Sequence, residues 1–220
     1  MIFTTKTIGP QLDRLCQVYP DLEVTRSGPT EVRLHGQIQV YLTANDFTVR
    51  NLYVIDIVIP LNSNDLPTVY DAGHQIKSIY PHRYQSGELC LATDTQMRIH
   101  FVDGFDLVCW MESYVEPYFF SYEYYKRYQV FPFGDRAHGC RGILQTYQDI
   151  FETKTEHAAY ALIEYLDSHP YRGHLRCPCG SGQKIRNCHG VTMLRFYENP
   201  SLMEIIRNDL LQCQNERRNA

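Results

Sequence analysis

Between residues 31 and 60 apolar and polar side chains alternate along the chain. Val32, Leu34, Ile38, Val40 and Leu42 share one parity, as do Phe47, Val49, Tyr53, Ile55, Ile57 and Ile59. A period of two puts every second side chain on the same face of a pleated strand. The stretch therefore predicts two antiparallel strands with one buried face, joined by a turn at Asn45-Asp46. Upstream, "GPQLDRLCQVYP" sets Leu12, Leu15, Cys16 and Tyr19 on one face of a helix, with Pro10 tolerated in its first turn. "PLNSNDLP" carries turn residues, and from Pro67 to Leu91 no regular period is visible. That segment is expected to be an ordered loop or flap resting on the sheet.

Beyond it the period changes to helical. "VEPYFFSYEYYKRY" predicts an aromatic-rich helix with Pro117 near its start, its tyrosines packing on the sheet. "QVFPFGDRAHGCRG" is a Gly-marked loop, and "ILQTYQDIF" a short helix. In "TKTEHAAYALIEYLDS", Thr153 and Glu156 stand at capping-box spacing ahead of another helical run. "NPSLMEIIRNDLLQC" places Asn199 as N-cap and Pro200 at the first position of a terminal helix. A helix, an antiparallel meander, a loop and then helices make an α+β layout. The boundary implied is residues 1–168 for the main domain and 169–220 for a small cysteine-bearing tail.

Composition narrows the function classes. A net charge of -4 and a pI near 6.1 argue against a broad nucleic-acid surface, which would be basic. Lys6, Asp13 and Arg14 interrupt any signal-peptide-like run, and "LYVIDIVIPL" is broken by Asp56 and too short to span a bilayer. The expectation is a soluble, cytoplasmic protein with no membrane partner. No phosphate-binding glycine loop is present, so the chain itself should not use ATP.

Of eight cysteines, three crowd into residues 177–188, while Cys16, Cys90, Cys109, Cys140 and Cys213 stand alone. Without an export signal, clustered cysteines read as metal ligands rather than bridges, and Cys16, Cys109, Cys140 and Cys213 read as core thiols. "CPCGSGQKIRNCHG" supplies Cys177, Cys179, Cys188 and His189, four ligands suited to a closed, structural zinc site. Gly180 and Gly182 let the chain fold back between the ligand pairs. This stretch also resembles the SEC-C motif, the zinc knuckle at the end of the bacterial preprotein-translocation ATPase. The resemblance implies structural zinc and a docking role, and it covers about 20 residues.

"YPHRYQSGELCLA" poses a different question, because it presents the thiol Cys90 just after a Ser86-Gly87 turn. An unperturbed thiol, with a pKa near ~8.5, is only a few per cent thiolate at neutral pH. No His/Asp pair able to activate Cys90 is legible in the sequence. In "FGDRAHG", His138 reads as a cap or hydrogen-bond partner of the following helix and Asp135-Arg136 as a local pair, in preference to a role near the thiol.

The frame around Cys90 resembles the ubiquitin-conjugating enzymes. There a His-Pro-Asn tripeptide precedes a flap ending in Gly-x-(Ile/Leu)-Cys-Leu, and here Tyr80-Pro81-His82 precedes "SGELCL". "VEPYFFSYEYYKRYQVFPFGDRAHGCRGILQTYQDIF" further resembles the bacterial branch of that superfamily, found in ubiquitin-like and anti-phage gene clusters. The likeness runs over residues 1–168 and implies a UBC-like fold in which Cys90 carries an acyl group as a thioester. The acyl donor it implies is the C-terminus of a protein, either a cGAS-like nucleotidyltransferase or a ubiquitin-like protein, charged by an activating enzyme or already activated. His82 occupies the family's Asn position, where it would donate to the oxyanion or only brace the flap. The alternative is a catalytically idle UBC-like module that docks a partner through its zinc knuckle.

Overall fold

The computed structural model describes residues 3–219, with side chains to residue 218. The backbone clusters into two units, residues 1–92 with 103–135 and residues 93–102 with 136–220. The boundary expected after residue 168 lies inside the second of these.

In the first unit, helix α1 (Ile8–Val18) leads into a four-stranded antiparallel meander: β1 (Leu22–Ser27), β2 (Glu31–Ala44), β3 (Phe47–Pro60) and β4 (Thr68–Asp71). The alternation lands as expected. Val32, Leu34 and Ile38 pair with Ile59, Ile57 and Tyr53, and all six are buried. Asn45 and Asp46 form the hairpin loop with φ of 50° and 56°. Both central residues of a type I′ turn need positive φ, which Asn and Asp tolerate best after glycine. Gly36 is demanded by close approach, since a Cβ there would lie 1.8 Å from the Asp21 carbonyl oxygen.

The helical run starts earlier than its sequence suggests. α3 (Leu107–Trp110) passes through a π-helical turn at Met111–Val115 into α4 (Glu116–Tyr128). Asp106 caps α3 by accepting from the Cys109 N–H at 2.8 Å. α4 lays Phe119 against the sheet, stacked on Tyr53 with ring centroids 4.1 Å apart. Tyr19 and Tyr53 donate to Glu116 and Glu123 at 2.6 and 2.9 Å, which satisfies two buried hydroxyls.

The second unit gathers α2 (Asp94–His100), α5 (Gly139–Phe151), α6 (Glu156–Ser168), α7 (Gly190–Tyr197) and α8 (Pro200–Asn219). They share a core of Ile143, Tyr147, Leu162, Phe196 and Ile206, all buried. Asn199 caps α8, its Oδ1 accepting from Ser201 and Leu202 N–H at 3.0 and 3.3 Å. Two expectations are corrected here. The cap of α6 is Thr155, accepting from the Ala158 N–H at 3.2 Å, and not Thr153, because the helix begins two residues later than the capping-box spacing implied. Cys140 and Cys213 are not core thiols but a disulfide joining α5 to α8. Their separation of 73 residues hid the pairing, since only the packing of α5 on α8 brings them together. No helix among the described residues is long and apolar enough to cross a membrane.

Candidate functional site

The segment that carries Cys90 is not a plain loop. Arg83 bridges Leu89, and Tyr84 and Glu88 are joined by an N–H···O bond of 2.9 Å, so residues 82–90 form a small hairpin. Its turn closes by the Gly87 N–H donating to the Tyr84 carbonyl, with Gly87 at φ 89°, a conformation that glycine adopts without strain. The outgoing arm then lies along the edge of β4. Tyr70 bridges Glu88, and the Leu89 N–H donates to the Val69 carbonyl at 2.9 Å. Leu89 is buried, so in an extended segment the next residue points the other way. That residue is Cys90, half-buried and a thiol.

The flap is fastened from below by α4. Tyr118, Tyr122 and Tyr125 recur at i, i+4 and i+7 and therefore share a face. The Tyr118 hydroxyl donates to the His82 carbonyl at 3.0 Å, the same oxygen that accepts the Cys90 N–H at 2.9 Å. The Tyr122 hydroxyl donates to the Gln75 carbonyl at 3.1 Å and accepts from the Lys77 N–H at 3.3 Å. Asp71, buried in β4, holds the Ile76 N–H at 2.6 Å. Burial pushes the Tyr80 and Tyr118 phenols well above their ordinary range, so both remain protonated. The tyrosine run expected only to pack on the sheet thus also ties down the approach to Cys90.

His82 sits inside this aromatic support. Its ring meets Phe131 edge-on at 4.7 Å and Tyr80 at 5.8 Å, and its side chain is 15% exposed. His82 Nε2 lies 3.2 Å from Asp135 Oδ1. A ring nitrogen of His82 and the Cys90 sulfur lie within 4.8 Å of each other. A thiol, an imidazole and a carboxylate therefore stand in sequence, an arrangement that nucleophilic acyl transfer uses. The sequence carried no local signal for Asp135, which comes from the loop after α4. The expected Asp135-Arg136 pair is absent: Asp135 faces His82, and Arg136 pairs with Asp149 at 2.6 Å. His138 occupies the N-cap position of α5 as expected, but its side chain makes no capping bond.

In the second unit the four ligands of the Cys/His stretch converge. Cys177 Sγ and Cys188 Sγ lie 3.3 and 3.2 Å from His189 Nδ1, and Cys179 Sγ is 3.6 Å from Cys188 Sγ. With metal–ligand bonds of ~2.0–2.3 Å, a tetrahedron has edges of about 3.5–3.8 Å, close to these separations. The other ring nitrogen, His189 Nε2, is 2.9 Å from the Phe151 carbonyl. That bond fixes the proton on Nε2 and leaves the Nδ1 lone pair directed at the sulfurs, the outer contact a ligating histidine makes. Gly180 and Gly182, at φ 83° and 75°, turn the chain between the ligand pairs. Burial raises the Cys177 thiol to about 12, so ligation would release its proton. The group could hold a metal ion.

Comparison of the chain with models of known families, with curated proteins and with solved structures finds no match.

Proposed function

We propose that this chain is an acyl-transfer protein of the ubiquitin-conjugating kind, in which Cys90 takes the C-terminal acyl group of a partner protein as a thioester. An amine or thiol then accepts the group. The observation that carries this reading is the fixed hairpin: Cys90 is held half-buried, through its own N–H, at the end of a flap that lies along the sheet edge beside His82. Such support keeps a nucleophile in one place for attack. The order of α1, meander, flap and helices is the order that the UBC-like resemblance implies. By the same resemblance the donor is a cGAS-like nucleotidyltransferase or a ubiquitin-like protein of a bacterial anti-phage cluster, charged by an activating enzyme.

The Cys177, Cys179, Cys188 and His189 group takes zinc in this reading, as a SEC-C-like knuckle. Four protein ligands leave no open position, so the ion is structural. It would supply folding energy to a segment that has few apolar residues of its own.

Incubation with an activated partner, followed by a non-reducing gel, tests the carrier. An adduct that thiols release, that is lost in Cys90→Ala and that becomes reductant-resistant but base-labile in Cys90→Ser is expected. Equal conjugation by wild type and both variants would instead leave an idle module that docks a partner. Metal analysis of the purified chain is expected to find about one zinc per molecule; a folded, metal-free tail would overturn the knuckle.

A further inference from the structure

We infer that His82 is the base that deprotonates Cys90 and that Asp135 is the positioning residue that orients its imidazole. This rests on Cys90 being the nucleophile, as proposed above, but it replaces both roles that the UBC-like frame suggests for the residue at position 82. An oxyanion donor must present an N–H to the acyl oxygen. The Nε2 of His82 instead faces the Asp135 carboxylate at 3.2 Å. An imidazole whose Nε2 proton is held by a carboxylate has its remaining lone pair on Nδ1, which makes it an acceptor. The bracing role is already filled by the His82 backbone carbonyl, which accepts both the Cys90 N–H and the Tyr118 hydroxyl. Its side chain packs against Phe131 and Tyr80 and lies within 4.8 Å of the sulfur. A separation within that bound is the kind of contact a nucleophile and its base keep in unliganded enzymes, and it tightens when substrate binds.

The step balances as follows. The Cys90 S–H proton moves to His82, and the thiolate attacks the carbonyl carbon of an acyl-adenylate or acyl-thioester brought by the partner. The new C–S bond forms as the adenylate or thiolate leaves; a leaving thiolate takes the imidazolium proton, and when adenylate leaves His82 releases that proton to solvent. When an amine later attacks, the amide bond forms, the C–S bond breaks and the amine's proton restores the Cys90 thiol.

Other charged or titratable groups surround the pair. The phenols of Tyr80 and Tyr118 interact electrostatically with Cys90; Tyr122, Tyr125 and Asp135 act on Tyr80, and Asp71 and Arg83 on Tyr118. Arg83 donates to the Ile76 carbonyl at 3.2 Å and acts on Tyr118, which makes it the control cation of the flap.

Haloacetamide alkylation of the full chain, followed at the Cys90 peptide by mass spectrometry, tests this without any acyl donor. A thiol paired with an imidazolium titrates in the range ~3.5–7.5, against ~8.5 alone. The wild-type rate is therefore expected to have its midpoint below pH 7, and His82→Ala to return it to about 8.5. Lower basicity also lowers nucleophilicity, so the rate at pH 7 changes only a few-fold and the midpoint is the readout. Asp135 is 67% exposed, so Asp135→Asn should raise the midpoint by less than about one pH unit. Asp135→Glu should restore it, and Arg83→Gln should leave it in place. An ordinary wild-type midpoint, or one that follows Arg83 and ignores His82 and Asp135, overturns the inference. A low midpoint without any thioester adduct sinks the carrier reading alone, and adducts with an ordinary midpoint sink only the base.

Discussion

Asp209 in α8 is a carboxylate in a place that disfavours its charge. It is buried, and it accepts from Thr95 and Tyr147 hydroxyls, each at 2.8 Å. Burial raises its pKa to about 6 from 3.8, against the lowering by the two hydroxyls; Asp94 adds to the rise and Arg98 opposes it. The folded state thus holds the proton more tightly than the unfolded chain. Stability from this residue is present below about pH 4, falls as pH rises to about 6, and is flat above that. The loss is on the order of 2–3 kcal/mol. Denaturant titrations across that window should show Asp209→Asn losing most of the slope that wild type has. Gly36 gives a sharper steric test. Gly36→Ala drives a Cβ into the Asp21 carbonyl and is expected to cost about 1–3 kcal/mol or more, measured by thermal or denaturant unfolding.

At the scale of elements, α4 is the flap's anchor. Tyr118→Phe removes one hydroxyl from the His82 carbonyl. About 1 kcal/mol should be lost, and hydrogen exchange should quicken at the Cys90 amide while the β2–β3 hairpin keeps its protection. The disulfide between α5 and α8 closes a long loop. Its reduction should destabilise the second unit by about 2–4 kcal/mol, read as a lower unfolding midpoint in reductant. What the sequence made legible follows the range of each signal. β2 and β3 are long, with one parity of each mostly apolar, and the four metal-site ligands lie within thirteen consecutive positions. β4 offers only "TVYD", too short to show a period, and β1 buries one residue of six. α2 spans seven residues, whose short apolar face reads as loop. Asp135 and the Cys140–Cys213 pair depend on the fold itself, so no local pattern could announce them.

The chain divides into two units, and the Cys/His group lies in the second. Cys177 and Ile185 belong to the buried cluster of the second unit. Chelation should therefore speed exchange at the amides of residues 172–197 and through that cluster, with little change in β2, β3 and α4. Equal loss of protection in both units would contradict this, and hydrogen exchange with mass spectrometry distinguishes the outcomes.

The path of the chain adds a constraint on synthesis and inheritance. α2 leaves the first unit at residue 93 and belongs to the second, yet residues 103–135 return to the first. Thr95 finds a partner on α8 and Ile99 packs into the second unit's core, so on the ribosome this short helix must wait, its Ile99 uncovered, until the C-terminal helices emerge. For the same reason no single crossover between genes could exchange one unit intact, and the two are expected to have been inherited together.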